Sequence, residues 1–150
     1  MPQSLAKILI HIIFSTKNRE PFIREEIEDE LYAYMASICN ELGCHAHLIG
    51  GVADHVHIAC NLSRTISVSD LLQDVKKSSS KWIKTKGSFY RNFGWQNGYG
   101  VFSLGISQLE VVKKYIKNQK KHHRHKTFRE EYLDFLNRYK IEYDERYLWD

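Results

Sequence analysis

A chain of 150 residues, 43% hydrophobic and 27% charged, can build one domain around a real core and is too ordinary in composition for a disordered or fibrous protein. A net charge of +4 and a pI near 8.9 suit a polyanionic partner without requiring one. Three cysteines without paired spacing (Cys39, Cys44, Cys60) read as reduced, buried thiols of a cytoplasmic protein. The N-terminal apolar run ILIHIIF is of strand length and too short to span a bilayer, and no secretory signal, linker or repeat is visible. The expectation is a single domain over 1–150.

In chain order, KILIHIIFSTKNR is β-branched and apolar on both faces, as a central strand is. REEIEDELYAYMASICNELG places Ile27, Leu31, Met35, Ile38 and Leu42 at three- and four-residue steps. That spacing predicts an amphipathic helix with acids in its first turn and Gly43 at its stop. CHAHLIGGVADHVHIACNL reads as a hairpin, with Gly50 and Gly51 as its turn. SVSDLLQDVKKSSSKWIKTKG predicts a second helix, capped by Ser67 and Asp70 and striped by Val68, Leu71, Leu72, Val75 and Trp82. WQNGYGVFSLG predicts a fourth strand. SQLEVVKKYIKNQKKHH, with Ser107 and Glu110 as a capping box, predicts a third helix, and TFREEYLDFLNRYK, with Thr127 and Glu130, a fourth. The aromatic tail IEYDERYLWD is expected to pack. The order β-α-β-β-α-β-α-α is that of an α+β, ferredoxin-like (split βαβ) sandwich. Its antiparallel sheet carries helices on one face, followed by a C-terminal tyrosine-bearing helix.

Alternation along the third strand puts His55, His57 and Ala59 on one face and Val56, Ile58 and Cys60 on the other. Two imidazoles on one strand face can converge on a metal ion, although two solvated histidines satisfy the pattern equally well. His45 and His47 form a second such pair, and a one-residue change of register decides whether they share the face. The favoured register sets Leu48 opposite His55, which turns the second pair away.

On the third helix, Leu109, Val112 and Ile116 make the buried stripe, and Tyr115 and Gln119, four apart, stack at its margin. A tyrosine hydroxyl beside a metal-held phosphodiester is a nucleophile, and the Gln119 oxygen is an oxygen ligand suited to Mg²⁺ or Mn²⁺. On spacing alone, a packing tyrosine and an exposed glutamine fit as well. From Ser107 to Lys126, seven cations stand against Glu110 alone, a balance of +6. Lys113, Lys114, Lys117, Lys120, Lys121 and Arg124, with Lys76 and Lys77 of the second helix, are therefore the candidate nucleic-acid contacts. His122, His123 and His125 read either as part of that cationic tail or as a further metal site. Phe89, Tyr90, Phe93, Trp95 and Tyr99 are offered either to unpaired bases or to the core.

ADHVHIAC resembles the HUH metal motif, and YIKNQ the tyrosine helix of the single-tyrosine HUH transposases of the smallest bacterial insertion sequences. HIIFSTKNREPFI, KKSSSKWIK and WQNGYGVFSLGIS are similar to other parts of that family in the same order. The resemblance covers nearly the whole chain. It implies a transposase that cuts and rejoins single-stranded DNA at hairpin-marked ends. His55, His57 and Gln119 would hold the divalent cation, and Tyr115 would form a 5′-phosphotyrosine. No other cofactor is implied. It also implies a homodimer, in which the tyrosine helix can complete the His site of its own or of the partner subunit, away from membranes, in a bacterial or archaeal cytoplasm. The His45–Ala46–His47 pair departs from the family pattern. The YDERYLWD tail resembles a subset that includes domesticated, palindrome-specific nickases of the same chemistry. A non-catalytic nucleic-acid-binding sheet is the remaining alternative, and it calls for aromatic residues where this strand carries histidines.

Overall fold

The computed structural model describes residues 2–150. Strand β1 (Leu9–Ser15) leads to helix α1 (Glu25–Glu41), the hairpin β2 (Ala46–Val52) and β3 (His55–Asn61), helix α2 (Val68–Lys84) and strand β4 (Gly100–Leu104). Helices α3 (Leu109–Lys117), α4 (Gln119–His122), α5 (Phe128–Arg138) and α6 (Glu145–Leu148) follow. The sheet order is β2-β3-β1-β4, with every neighbouring pair antiparallel. This is the expected split-βαβ sheet.

Its two faces have different work. Ile10, Ile12 and Phe14 of β1, with Val56, Ile58 and Cys60 of β3, face α1 and α2 and make the main core with Leu31, Met35, Leu71, Leu72 and Val75. Burying each such aliphatic side chain stabilises the fold by about 1.5–3 kcal/mol. The α1 stripe is the one read from the sequence up to Ile38, with Leu42 only partly buried. On α2, Leu71, Leu72 and Val75 are buried as expected, but Ser79 and Ile83 complete the stripe while Val68 and Trp82 are only partly buried. Ser67 Oγ accepts from the Asp70 N–H at 3.1 Å, and Gly43 stops α1 at a φ of 75°.

The opposite face carries His11 and Ile13 of β1 beside His57 and Ala59 of β3. The C-terminal helices cover it: Phe128, Tyr132, Phe135 and Leu136 of α5 bury Ile13 and Phe102, and Ile116 of α3 is packed at Gly50. Helix α5 docks closely because β4 offers Gly100 below it, where a Cβ would lie 2.8 Å from Tyr132. The Thr127–Glu130 capping box forms as expected. Of the tail only the end packs, with the Trp149 ring against Tyr132 and under the Arg129 guanidinium at 4.8 Å, whereas Ile141, Tyr143 and Tyr147 are exposed.

Three local expectations are corrected. Gly50 and Gly51 are not the hairpin turn. Both lie inside β2, opposite His57 and Val56, and the chain reverses at Ala53–Asp54 between Val52 and His55. Glycine is needed at these two sites because of what lies above and beside them. A Cβ on Gly50 would come within 2.9 Å of Ile116, and one on Gly51 within 2.2 Å of the His55 carbonyl. The register follows from the true turn: Leu48 opposes Ala59 rather than His55, and a bulge between Ala46 and Leu48 displaces His47. Finally, Ser107 and Glu110 do not cap α3. A 3₁₀ turn (Ile106–Gln108) precedes it, closed by the Gly105 N–H donating to Gln108 Oε1 at 2.9 Å.

Candidate active site

β3 supplies two of the site's imidazoles, and the tight turn before it orients the first. Asp54 sits in that turn, and its Oδ1 accepts the His55 Nδ1–H at 2.7 Å. His55 Nε2 is thereby aimed across the sheet face, where it meets Gln119 Oε1 at 3.0 Å. His57 is oriented by His11, a residue the sequence left unremarked in the central strand: His11 Nε2 and His57 Nδ1 are 2.8 Å apart. Both strand histidines are fully buried.

Helix α3 crosses this face because Gly50 lets Ile116 settle on β2. That seating turns Tyr115 inward, its ring 5.7 Å from that of His57. The helix breaks at Asn118, and Gln119 opens α4 as a buried residue. Tyr115, Gln119, His55 and His57 of one chain thus meet at a single point.

The point is occupied by Glu131 of α5. Its Oε2 accepts from the Tyr115 hydroxyl and from Gln119 Nε2. Its Oε1 lies 3.1 Å from His57 Nε2 and 3.2 Å from both His55 Nε2 and His123 Nε2. A signal for it existed. Phe128, Tyr132, Phe135 and Leu136 define the apolar stripe of α5, and Glu131 is the one carboxylate within it. An acid where the period calls for an apolar residue points to a buried partner. Of the cluster His122, His123 and His125, which the sequence offers to the cationic tail or to a metal, it is His123 that the structure brings to the group.

Burial and neighbours set the protonation of the group. Burial by itself would lower His55, but its hydrogen bonds to Asp54 and Glu131 prevail and raise it to about 9. Burial lowers His57 despite the Glu131 contact, and lowers His11 well below the usual histidine range. Burial would raise Glu131, yet the imidazoles of His123, His55 and His57 that face it hold it far below the usual carboxylate range. Tyr115 is pushed up by burial and then by the Glu131 charge, so its hydroxyl is held protonated.

The donor set fits a divalent cation. His55, His57, His123 and Glu131 place one ligand atom each within 4.8 Å of one another. His123 Nδ1–H donates to the Lys126 carbonyl, so Nε2 is the free nitrogen. That nitrogen is buried and makes no hydrogen bond, although Glu131 Oε1 is 3.2 Å away. A bare imidazole nitrogen facing a carboxylate suits a metal ligand.

The basic residues divide. Lys77, Lys114, Lys117, Lys121 and Arg124 are exposed, and Lys113 lies 3.6 Å from Glu110. Lys120 is exposed and reaches Glu28 at 3.2 Å and Glu25 at 3.5 Å. Lys76 is turned inward. Its ammonium donates to the carbonyls of Gln96, Asn97 and Gly98 at 2.9, 3.3 and 2.7 Å. It braces the loop before β4 and is not free for a phosphate. An open cleft of about 710 Å³ reaches the site from the side of Asp54 and His123, with Arg19, Lys120, Arg124 and Lys126 on its walls. A second, of about 400 Å³, opens beside Tyr115 and Glu131 toward Phe135 and Arg138. Of the aromatic run, Tyr90, Phe93 and Trp95 are buried in the core, and Phe89 lies exposed under the Arg24 guanidinium. His47 bonds Asn61 at 2.9 Å, at the far end of β3 from His55. No helix among the described residues is long and apolar enough to cross a membrane.

Two solved structures share the fold. A protein assigned as a transposase from Deinococcus radiodurans R1 matches with a TM-score of 0.62 at 20% identity, over 79% of this chain and 98% of its own. A REP-associated tyrosine transposase bound to a REP hairpin matches with a TM-score of 0.60 at 13% identity, over 82% of this chain and 73% of its own. No curated protein sequence matches the chain. The family model described as "Transposase IS200 like" matches residues 4–119, the span that holds the sheet, the histidine pair and Tyr115. The chain belongs to the IS200-like transposase family.

Proposed function

We propose that this transposase cleaves and rejoins single-stranded DNA at hairpin-marked ends, with Tyr115 as nucleophile. The observation that supports this reading best is the meeting of Tyr115 and Gln119 with His55 and His57 around one buried carboxylate, within a single chain. His55, His57 and Gln119 would hold Mg²⁺ or Mn²⁺, with His123 and Glu131 at hand. Such a cation supplies positive charge to a phosphate oxygen and lowers the cost of a phenolate.

The protein's own groups do the rest. Tyr115 gives its hydroxyl proton to water, and its oxygen bonds to phosphorus as the bond from phosphorus to the 3′-oxygen breaks. The leaving oxygen takes up a proton and becomes a free 3′-hydroxyl. Attack by a 3′-hydroxyl on the 5′-phosphotyrosine reverses the step, so joining needs no nucleotide cofactor. Asp54 and His11 keep the two imidazoles aimed. Lys77, Lys113, Lys114, Lys117, Lys120, Lys121 and Arg124 would meet the DNA backbone, whereas Lys76 is removed from that set by its three carbonyl contacts. A homodimer in the cytoplasm, folded as one domain over 1–150, completes the reading.

The likeness to a hairpin-bound REP-associated transposase favours a second version with the same chemistry, a palindrome-specific nickase outside any mobile element. Labelled single-stranded DNA carrying a hairpin, with Mg²⁺ or Mn²⁺, should give a denaturation-resistant adduct. Tyr115→Phe should abolish the adduct and retain hairpin binding. An adduct that survives this substitution rules out Tyr115 as the nucleophile. Hairpin-forming sequences at both flanks of the gene would mark a mobile element, and palindromes scattered elsewhere the nickase.

A further inference from the structure

Glu131 poses a geometric problem for the reaction just proposed. In-line attack requires the phosphorus about 3–3.5 Å from the tyrosine oxygen, with the phosphate also beside the histidine pair. That space is filled: one Glu131 oxygen bonds the Tyr115 hydroxyl and Gln119 Nε2, and the other lies among three imidazoles. The carboxylate stands where a phosphate would stand. It is held there by α5, whose Phe128, Tyr132, Phe135 and Leu136 are buried on the sheet.

We propose that the centre has a second, closed coordination mode, in which Glu131 of α5 and His123 join His55 and His57 as a four-donor shell selective for a transition ion of the zinc type and exclusive of the scissile phosphate. This inference rests on the functional reading above for its consequence and on the side chains alone for the shell.

Three observations carry it. First, the spacing fits: Glu131 Oε1 lies 3.1–3.2 Å from each of the three Nε2 atoms, near the edge of about 3.4 Å that ligands at about 2.1 Å make around a tetrahedral ion. Second, the donors suit the ion. Three imidazoles and one carboxylate favour zinc and its neighbours, whereas the His55–His57–Gln119 set leaves positions for oxygen ligands and substrate. Third, each imidazole is backed on its other nitrogen, His55 by Asp54, His57 by His11 and His123 by the Lys126 carbonyl. Backing of this kind fixes the ring and the coordinating nitrogen. A shell of four protein donors has no vacant position, as in structural rather than catalytic zinc sites. Such an ion ties α5 to the sheet through Glu131, and the site opens only when Glu131 leaves.

The test titrates the chelator-treated full chain with Co²⁺, a visible reporter for zinc, followed by Zn²⁺ in competition. The wild type should develop the intense visible absorption of four-coordinate Co²⁺, and Zn²⁺ should abolish it. Glu131→Gln and His123→Ala should each lose the band and weaken Co²⁺ binding by about tenfold or more. His123 is partly exposed at the end of α4, so His123→Ala keeps the test open if Glu131→Gln does not fold. Binding and spectra equal to wild type in both variants would overturn the shell, as would a wild type that shows only the weak six-coordinate spectrum. In the hairpin-DNA assay with Mn²⁺, Zn²⁺ should suppress the wild-type adduct, and His123→Ala should need at least about tenfold more Zn²⁺ for the same effect. Suppression at equal Zn²⁺ in both would overturn the proposed consequence. A wild type that forms no adduct with any metal defeats the cleavage reading, while the Co²⁺ titration still decides the shell.

Discussion

His11 Nε2 and His57 Nδ1 face each other at 2.8 Å across the two central strands, and both rings are held neutral by burial. With His57 Nε2–H donating to Glu131, His57 Nδ1 accepts from His11 Nε2–H. A metal on His57 Nε2 requires the opposite tautomer, with Nδ1–H donating to His11. Histidine can take either part, which phenylalanine or leucine at this position cannot. His11→Phe should therefore weaken Mn²⁺ binding by about 10–100-fold while the chain remains folded. Calorimetric titration and far-ultraviolet circular dichroism together check this, and unchanged affinity would remove His11 from the site.

The seat of the tyrosine helix gives a second expectation. Because a Cβ on Gly50 would lie 2.9 Å from Ile116 Cγ2, Gly50→Ala must push α3 away from β2. Overpacking of this kind costs about 1–3 kcal/mol. Hairpin binding should persist, whereas adduct formation should fall by about tenfold or more, since displacements of the order of an ångström cost that much or more. Equal losses of binding and adduct would mean that the substitution unfolds the chain rather than moving Tyr115.

The lysines should separate into two classes. Lys76→Met leaves carbonyls of Gln96, Asn97 and Gly98 without their donor and should lower stability by about 1–3 kcal/mol in denaturant unfolding. Lys114→Ala and Lys117→Ala, on exposed positions, should change stability by less than about 0.5 kcal/mol. Each should instead reduce the salt slope of single-strand binding by about 0.7. A salt slope that shifts as much for Lys76→Met as for these two would overturn the division.

All three cysteines are buried, and burial, followed by the neighbouring Cys44 thiol, pushes Cys39 up to about 12. The same cause raises Cys60. For an acid whose folded value is raised, the stabilising contribution is intact below the unfolded value of about 8.5 and is lost as pH rises toward the folded one. Alkylation at pH 8 should therefore be negligible in the native chain and complete in denaturant, as read by mass. Rapid labelling of native Cys39 or Cys60 would contradict their burial.

Much of the sheet and its helices was legible because hydrophobic periodicity is local. Strand alternation placed His55 and His57 on one face, and helical spacing put Tyr115 and Gln119 together. What escaped depended on non-local packing. His11 gained its meaning from the β1–β3 register, which leaves no local pattern, and His123 and Glu131 gained theirs from the docking of α5, of which the only local trace is an acid inside the α5 apolar stripe. Gly50 and Gly51 were misread because glycine serves two purposes, a reversal of the chain and a close approach, and only the tertiary structure shows which one applies. Lys76 was counted as a surface cation because composition cannot say where a flexible stem turns.

The reversal at Ala53–Asp54 bears on how the protein can be engineered. Hairpin tips are ordinarily where chains accept inserted segments. This one is anchored on three sides: the Ala53 carbonyl accepts from the Ile23 N–H at 3.0 Å, the Asp54 carbonyl from the Thr16 N–H at 2.8 Å, and the Asp54 carboxylate from His55. A peptide inserted here would cut the tether between the chain segment that follows β1 and the first metal-facing imidazole.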